Sequence, residues 1–511
     1  MTLPRLSRDL VLSAASAGRT DVRFPAPALL DLPERVVQFG TGALLRGLIE
    51  PLIDDANARG EFGGRILAFG STGSGREQSL THQDGLFTLA ARGVVDGAQH
   101  GERRVVASLS RALTGDDGWR EMIHLARNGL QLVFSNTTEA GFVLTDDDTG
   151  EGPIPRSFPG KLTSLLWEFA LSHGFSWKSR LVVLPCELVE NNGSRLREMV
   201  LELSRRQRLP ARFDDWIRRG AVFCDTLVDR IVPGTPARPE RMEEEAELGY
   251  RDTLLTVAEP YALFAIQASE EERGLLPFAD DPRVVITSDI TPYRERKLRL
   301  LNGTHTAMVP VALLCGCETV RQAVEDAEVG AFIRRVMLDE IAPFVAAPDA
   351  EGFAHAVLDR FANPHLRHAV ADIALQQTMK LRVRVVPSIL AHAAATGEAP
   401  ASLAFAFAAY LRLARGDVQA QREAAGRPLP RDGQGARIHA LWREAGDESP
   451  CTIARRACAD AETWGADLTA VPGFVDKVAA CLSRILAIGA PAALAQHLAR
   501  ASAAPLTAGS R

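Results

Sequence analysis

A lysine, an asparagine and a histidine are spaced in the run Lys297-Leu-Arg-Leu-Leu-Asn302-Gly-Thr-His305. At about 100° per residue on an α-helix, Arg294, Lys297, Leu301 and His305 share an arc of roughly 80°, with Asn302 about 60° beyond it. Such a face suits proton transfer to or from an oxygen. A lysine whose pKa is lowered by burial is a usable general acid/base near neutral pH. The amide can donate to a developing alkoxide, and the histidine can orient the same oxygen. Thr291 and Pro292 mark the start of this helix, and Leu298, Leu300, Leu301 and Met308 predict that it is largely buried.

A second constellation lies near the N-terminus, in Val36-Val-Gln-Phe39-Gly40-Thr41-Gly42-Ala-Leu-Leu45. Glycines placed between a strand and a helix let backbone amides approach a dinucleotide pyrophosphate, so Phe39, Gly40, Thr41 and Gly42 are candidate cofactor contacts. The third fingerprint position is Leu45, which makes the match partial. The second strand ends in Gly70-Ser71-Thr72 without the acid that would hold the ribose of NAD. Ser71 or Thr72 can bond a ribose and Arg76 can meet a 2′-phosphate, so residue chemistry leaves NAD and NADP both open. Asn136, Thr137 and Glu139, following another strand, are further candidates for cofactor contact.

The elements that must position these groups divide the chain. Apolar runs at Val36–Phe39, Arg65–Phe69, Val105–Leu109, Leu130–Phe134, Leu181–Leu184, Ala221–Cys224 and Val284–Ile286 read as strands covered on both faces. Between the first two, Leu44, Leu45, Leu48, Ile49, Leu52, Ile53 and Ala56 form one helical stripe, which gives a βαβ unit and a parallel sheet. From Pro292 onward the periodicity is helical almost throughout, with helices expected over 319–345, 352–361, 366–384, 401–414 and 471–503. The predicted fold is α/β: a Rossmann-like parallel-sheet domain over residues 1–288, then an all-helical domain over 289–511 that carries catalysis and substrate binding.

Composition excludes several classes. The 511 residues carry 46% hydrophobic and 24% charged side chains, which rules out a disordered or fibrous chain. A net charge of −6 without a basic block argues against nucleic acid as a partner. No apolar stretch reaches the roughly 18–20 residues of a membrane helix, and no secretory leader is read at the start. The seven cysteines are dispersed, with neither a C-x-x-C pair nor H-E-x-x-H, so no metal is expected and a reducing cytoplasm is the simpler setting. The oligomeric state is left open.

The segment Lys297-x-x-x-x-Asn302-x-x-His305 resembles the signature of the mannitol dehydrogenase family of polyol-specific long-chain dehydrogenases/reductases. Further matching segments are Gln83-Asp-Gly-Leu-Phe-Thr-Leu, Ser135-Asn-Thr-Thr-Glu-Ala-Gly, Phe158-Pro-Gly-Lys, Val228-Asp-Arg-Ile and Ala258-Glu-Pro-Tyr. The resemblance implies metal-independent hydride transfer with NAD(H), Lys297 as general acid/base, and Asn302 and His305 holding the substrate oxygen. It also implies a small-molecule ketouronate or polyol substrate. Pro185-Cys-Glu-Leu-Val-Glu-Asn-Asn-Gly and Asn363-Pro-His-Leu-Arg-His are more similar to the ketouronate-reducing branch than to mannitol dehydrogenases proper. The family's acid three residues before the lysine is Arg294 here, which can bind a substrate carboxylate or form a salt bridge to Glu187 or Glu190. Asn192, Asp229, Arg230 and Arg367 are further candidate substrate contacts, whereas Lys380 and Arg384 are expected on a solvated face. A sister activity on fructuronate, mannitol or another polyol is the alternative; a non-catalytic dinucleotide sensor is a remote one.

Overall fold

The computed structural model describes residues 3–17, 21–70, 75–137, 141–146, 148, 154–366, 368–445 and 449–503. Two compact units make up the chain: one runs to Gly93 and resumes over Gln99–Ile290, and the other takes in Val94–Ala98 and the chain from Thr291 on. Ser71, Glu139 and Arg367, three of the candidate contacts, lie outside the described residues.

The strands are β1 (Glu34–Phe39), β2 (Arg65–Phe69), β3 (Phe87–Val95), β4 (Ala98–Val106), β5 (Leu109–Leu113), β6 (Leu132–Ser135), β7 (Leu181–Pro185), β8 (Ala221–Phe223), β9 (Thr226–Asp229), β10 (Thr256–Ala258), β11 (Leu263–Gln267) and β12 (Val284–Thr287). Six of them form one parallel sheet in the order β5-β2-β1-β6-β7-β8. Counting only its own members in chain order, that sheet reads 3-2-1-4-5-6, the doubly wound arrangement whose strand order reverses beside β1. Alternate residues point to opposite faces. Val36, Ile66 and Leu132 therefore pack with Leu48, Leu52 and Ala56 of the first crossover, while Val37, Leu67 and Val133 pack with Met122, Leu162 and Leu166 on the other face.

The expected Val105–Leu109 strand is two strands. Its first half closes β4, its last residue opens β5, and Ala107-Ser108 separates them. A continuous apolar run carries no mark of such a change of partner. The β3-β4 hairpin behind it turns at Asp96-Gly97, both with positive φ (51° and 74°). An Asp-Gly pair is a strong local hairpin signal that the periodicity reading passed over. β12 joins β11 and β9 in a separate three-stranded sheet, not the main one.

From Thr291 the described residues form helices and no strand. The run Ala401–Leu413 is buried along almost its whole length, as its alanine and phenylalanine content requires. The expected 319–345 helix is broken at Asp326, whose carboxylate caps the next helix through Glu328 N and Val329 N. The 471–503 stretch is two helices, Phe474–Ile488 and Ala490–Ala503, divided at Gly489 with φ +80°. The 366–384 expectation resolves into Val370–Ile373, Gln377–Lys380 and a π-helical turn Leu381–Val385 that runs on into Val386–Thr396.

Candidate active site

The first unit presents a cavity of about 580 Å³ at the carboxyl ends of β1, β2 and β6, lined among others by Gly40, Thr41, Gly42, Arg76, Asn136 and Lys161. Gly40 has φ +109°, and a Cβ there would stand 3.1 Å from the Asn136 carbonyl oxygen; only glycine fits this cradle. Asn136 is fixed in turn, its amide donating to Cys186 O at 2.8 Å. Glu187 organises the next step of the rim, accepting from Ser135 Oγ, Thr137 N and Thr137 Oγ1 at 2.9–3.1 Å. Burial raises the Glu187 pKa against those hydrogen bonds. Phe39, Gly40, Thr41, Gly42, Asn136 and Thr137 are thus brought to one cavity, and its shape, glycine turn and cationic rim fit a dinucleotide.

Two contributors were not among the sequence candidates. Glu77 is buried with its carboxylate against Gly70, where a Cβ would lie 1.9 Å from Oε1, and it accepts from Thr41 Oγ1 at 3.0 Å. An acid therefore does stand at the end of β2, delivered by the following helix Arg76–His82 and not by the strand itself. Lys161 closes the Phe158-Pro-Gly-Lys segment and donates to Arg156 O at 2.7 Å, its pKa lowered by burial.

The first crossover helix departs from plain α geometry. Leu45–Ile49 is a π turn followed by the α-helix Glu50–Arg59 with Pro51 in its first turn. Pro51 has no N–H to give to Gly47 O, four residues back. Arg230 donates to that carbonyl and, through Nε, to Glu259 O at 2.9 Å. The expected substrate role for Arg230 gives way to this backbone clamp. Asp229 is buried at the end of β9, opposite Leu263 of β11.

Asn192 is also architectural. Its amide nitrogen reaches Pro185 O, Glu187 O, Thr226 O and Thr226 Oγ1 at 3.0–3.4 Å, and its oxygen accepts from Gly193 N and Thr226 N at 2.9 Å. Fully buried and fully bonded, it has no capacity left for a substrate oxygen.

In the second unit the helix Thr291–Arg296 runs into a π turn, Lys297–Gly303, and then the α-helix Thr304–Leu314. Five residues on an α-helix turn a side chain about 140° away from its start. The i→i+5 bonding of a π turn instead sets residue i+5 nearly one turn above residue i. Asn302 is thereby carried back toward the Lys297 face, closer than the α-helical estimate allows. Lys297 and Asn302 are half-buried, whereas His305 is buried. The Asn302 side chain makes no hydrogen bond among the described residues, and His305 Nε2 is buried without a partner. The imidazole stacks on Phe361 (centroids 4.1 Å apart, 16° between planes) and stands edge-on to His368 at 5.1 Å. Burial, then the charges of His368, Arg360, Arg384 and Lys380, hold the His305 pKa well below its usual value. His305 is therefore neutral at pH 7, with one nitrogen donating and the other accepting. Arg294 lies half-buried on the preceding helix.

Pro310 repeats the proline problem in this helix, leaving Thr306 O without its α-helical donor; Gln377 Nε2 supplies one at 2.8 Å. Lys380 and Arg384, expected on a solvated face, are half-buried, because the π turn Leu381–Val385 lies against the π turn Lys297–Gly303: a Cβ on Gly303 would meet Arg384 O at 3.2 Å.

Comparison with known proteins agrees with both halves. Residues 34–278 match the mannitol dehydrogenase Rossmann domain, and residues 289–486 match the mannitol dehydrogenase C-terminal domain. The chain is 39% identical over 502 residues to an altronate oxidoreductase of Halalkalibacterium halodurans, covering 95% of this chain and 96% of that one. It belongs to the mannitol dehydrogenase family. A Bacillus subtilis altronate oxidoreductase is likewise 39% identical, over 91% of this chain and 95% of its own. Among solved structures, Pseudomonas fluorescens mannitol 2-dehydrogenase, in ternary complex with NAD and D-mannitol, shares the fold with a TM-score of 0.66 at 23% identity, covering 98% and 100% of the two chains. A D-sorbitol dehydrogenase gives a TM-score of 0.78 at 19% identity, covering 96% and 100%. This mannitol dehydrogenase family member is an oxidoreductase acting on CH–OH groups, with a nicotinamide dinucleotide as its cofactor. Among the described residues no cluster of three or more His, Cys, Asp or Glu is placed to hold a metal ion, and no helix is long and apolar enough to cross a membrane.

Proposed function

We propose that this chain interconverts D-tagaturonate and D-altronate with NAD(H), the activity of a tagaturonate reductase, in cytoplasmic hexuronate breakdown. One observation carries the reading: a helix bearing Lys297, an unbonded Asn302 amide and a buried, neutral, unpartnered His305 nitrogen, in a chain 39% identical to altronate oxidoreductases over nearly its whole length. The nicotinamide supplies the hydride in reduction and accepts it in oxidation. As the keto carbon gains the hydride, its oxygen becomes an alkoxide, and the Lys297 ammonium gives that oxygen a proton. The Asn302 amide donates to the same oxygen while charge builds on it, and His305 orients it. Lys297, left as the amine, regains its proton from solvent, and the reverse reaction uses that amine as the base.

The buried Glu77 carboxylate at the end of β2 supports NAD over NADP, since it would repel a 2′-phosphate. The experiment is a reduced-nicotinamide absorbance assay offering NADH and NADPH separately against tagaturonate, fructuronate and fructose. Oxidation of NADH chiefly with tagaturonate is the expected result. Preference for fructuronate or fructose would move the enzyme to a sister activity in the family, and NADPH preference would overturn the role given to Glu77.

A further inference from the structure

The second unit places the charges of Arg360, Arg384 and Lys380 around His305. His368, Arg360, Arg384 and Lys380 all act on the imidazole. Of the acids nearby, Asp432 acts on Lys380 and accepts from Thr378 N and Thr378 Oγ1 at 2.9 and 2.7 Å. Asp372 acts on His368. Arg384 has neither: it makes no ion pair among the described residues, and burial is the sole influence on its pKa, which it lowers. Lys380 Nζ donates to Ile373 O at 2.9 Å and makes no other bond among the described residues, leaving donor capacity unused.

A half-buried guanidinium without a counter-charge costs solvation free energy, and a fold that retains one gains when an anion arrives. The placement is specific. The Arg384 carbonyl lies 3.2 Å from where a Gly303 Cβ would be, next to Asn302, and Ser388 Oγ holds the same carbonyl at 3.4 Å. The arginine is thus fixed through its backbone beside the residues that hold the reacting oxygen. A planar guanidinium matches a carboxylate in two parallel hydrogen bonds.

We infer that Arg384, assisted by Lys380, binds the carboxylate of the substrate and sets the preference for ketouronates over neutral ketoses. The inference rests on the ketouronate reading above. It is tested with wild type, Arg384→Gln and Arg384→Lys, each assayed with tagaturonate and with D-tagatose, which carries a hydroxymethyl group in place of the carboxylate. Melting temperature and NADH binding are measured on the same samples. The preference for tagaturonate, as a ratio of kcat/KM values, is expected to fall about 30-fold or more in Arg384→Gln, mainly through KM, with Arg384→Lys between the two. An unchanged ratio in Arg384→Gln, in an enzyme whose wild type prefers tagaturonate, overturns this inference and leaves the activity standing. A wild type that prefers neutral ketoses overturns both.

Discussion

Glu50 offers the sharpest quantitative test of the first unit. It is buried on the helix behind the glycine turn, with Oε1 accepting from Gln38 Nε2 at 2.9 Å; the same nitrogen donates to Gly40 O at 3.0 Å. Its Oε2 has no partner among the described residues. Burial, opposed by Gln38 and Arg46, raises its pKa from 4.5 to about 7. A carboxylate whose pKa is higher folded than unfolded binds more protons in the native state, so stability falls as pH rises from about 4.5 through 7. From those two values the loss relative to a neutral side chain is about 3 kcal/mol at pH 8 and about 1 kcal/mol or less at pH 5. Glu50→Gln keeps the shape and the acceptor for Gln38 and removes the ionisation. The attraction of Arg46 exists only for the ionised carboxylate and is already contained in the value of about 7, so it adds nothing further to the difference. Asp54, raised to about 6 by burial, titrates alike in both proteins and cancels. The pH dependence of the difference between the two proteins therefore isolates Glu50, at about 2 kcal/mol, or a relative gain in melting temperature of roughly 4–8 °C between pH 5 and 8. Thermal melts of both proteins at the two pH values provide the measurement. The same melting gap at pH 5 and pH 8 would show that Glu50 is not the buried, proton-holding group described.

Lys297→Ala should lower kcat by about two to four orders of magnitude while NADH binding, followed by fluorescence, stays intact; near-normal turnover would remove Lys297 as the acid/base. Gly40→Ala forces a Cβ against Asn136 O at a φ of +109°, and should weaken NADH binding at least tenfold and cost about 1–3 kcal/mol of stability. An unaltered Kd would show that the cradle does not carry the dinucleotide. Gln377→Leu removes the donor to Thr306 O, and a loss of about 1–3 kcal/mol is expected in denaturant melts.

Much of the architecture was legible because it follows from burial on two faces. The strand at Val36–Phe39, the glycine turn and the Leu48, Leu52, Ala56 stripe repeat the local pattern that a doubly wound sheet demands, and the structure returns them. That Lys297, Asn302 and His305 share one helical run was legible, but their mutual angle was not, because a residue-by-residue rotation assumes an unbroken α-helix. Asn192 and Arg230 show the opposite case. Each has the chemistry of a ligand group, yet each is consumed by backbone atoms distant in sequence, which spacing cannot reveal. Arg384 was misread for the same reason: a charged helix face looks solvated until a second helix is laid against it.

The prolines explain why that second helix lies where it does. A proline inside a helix withdraws the donor that the carbonyl four residues earlier would use. Pro310 does this to Thr306 O, and Pro387 does it to Val383 O. The donors that stand in come from across the pair: Gln377, just ahead of the Lys380–Arg384 segment, bonds Thr306 O at 2.8 Å, and Arg299, inside the π turn Lys297–Gly303, bonds Val383 O at 3.4 Å. Each interrupted helix thus caps a carbonyl of the other. A slide of either helix by one residue would break both bonds and also drive Gly303 out of register with the Arg384 carbonyl. Two local weaknesses in the sequence therefore act together as one positional constraint, fixing the helix of Lys297, Asn302 and His305 against the helix of Lys380 and Arg384. In Pro51, Gly47 and Arg230 the first unit uses the same device beneath its glycine turn. Rigidity at both the glycine turn and the helix of Lys297, Asn302 and His305 is supplied by side chains spending their hydrogen bonds on backbone, which is why those side chains are poor candidates for ligands and good candidates for positioning them.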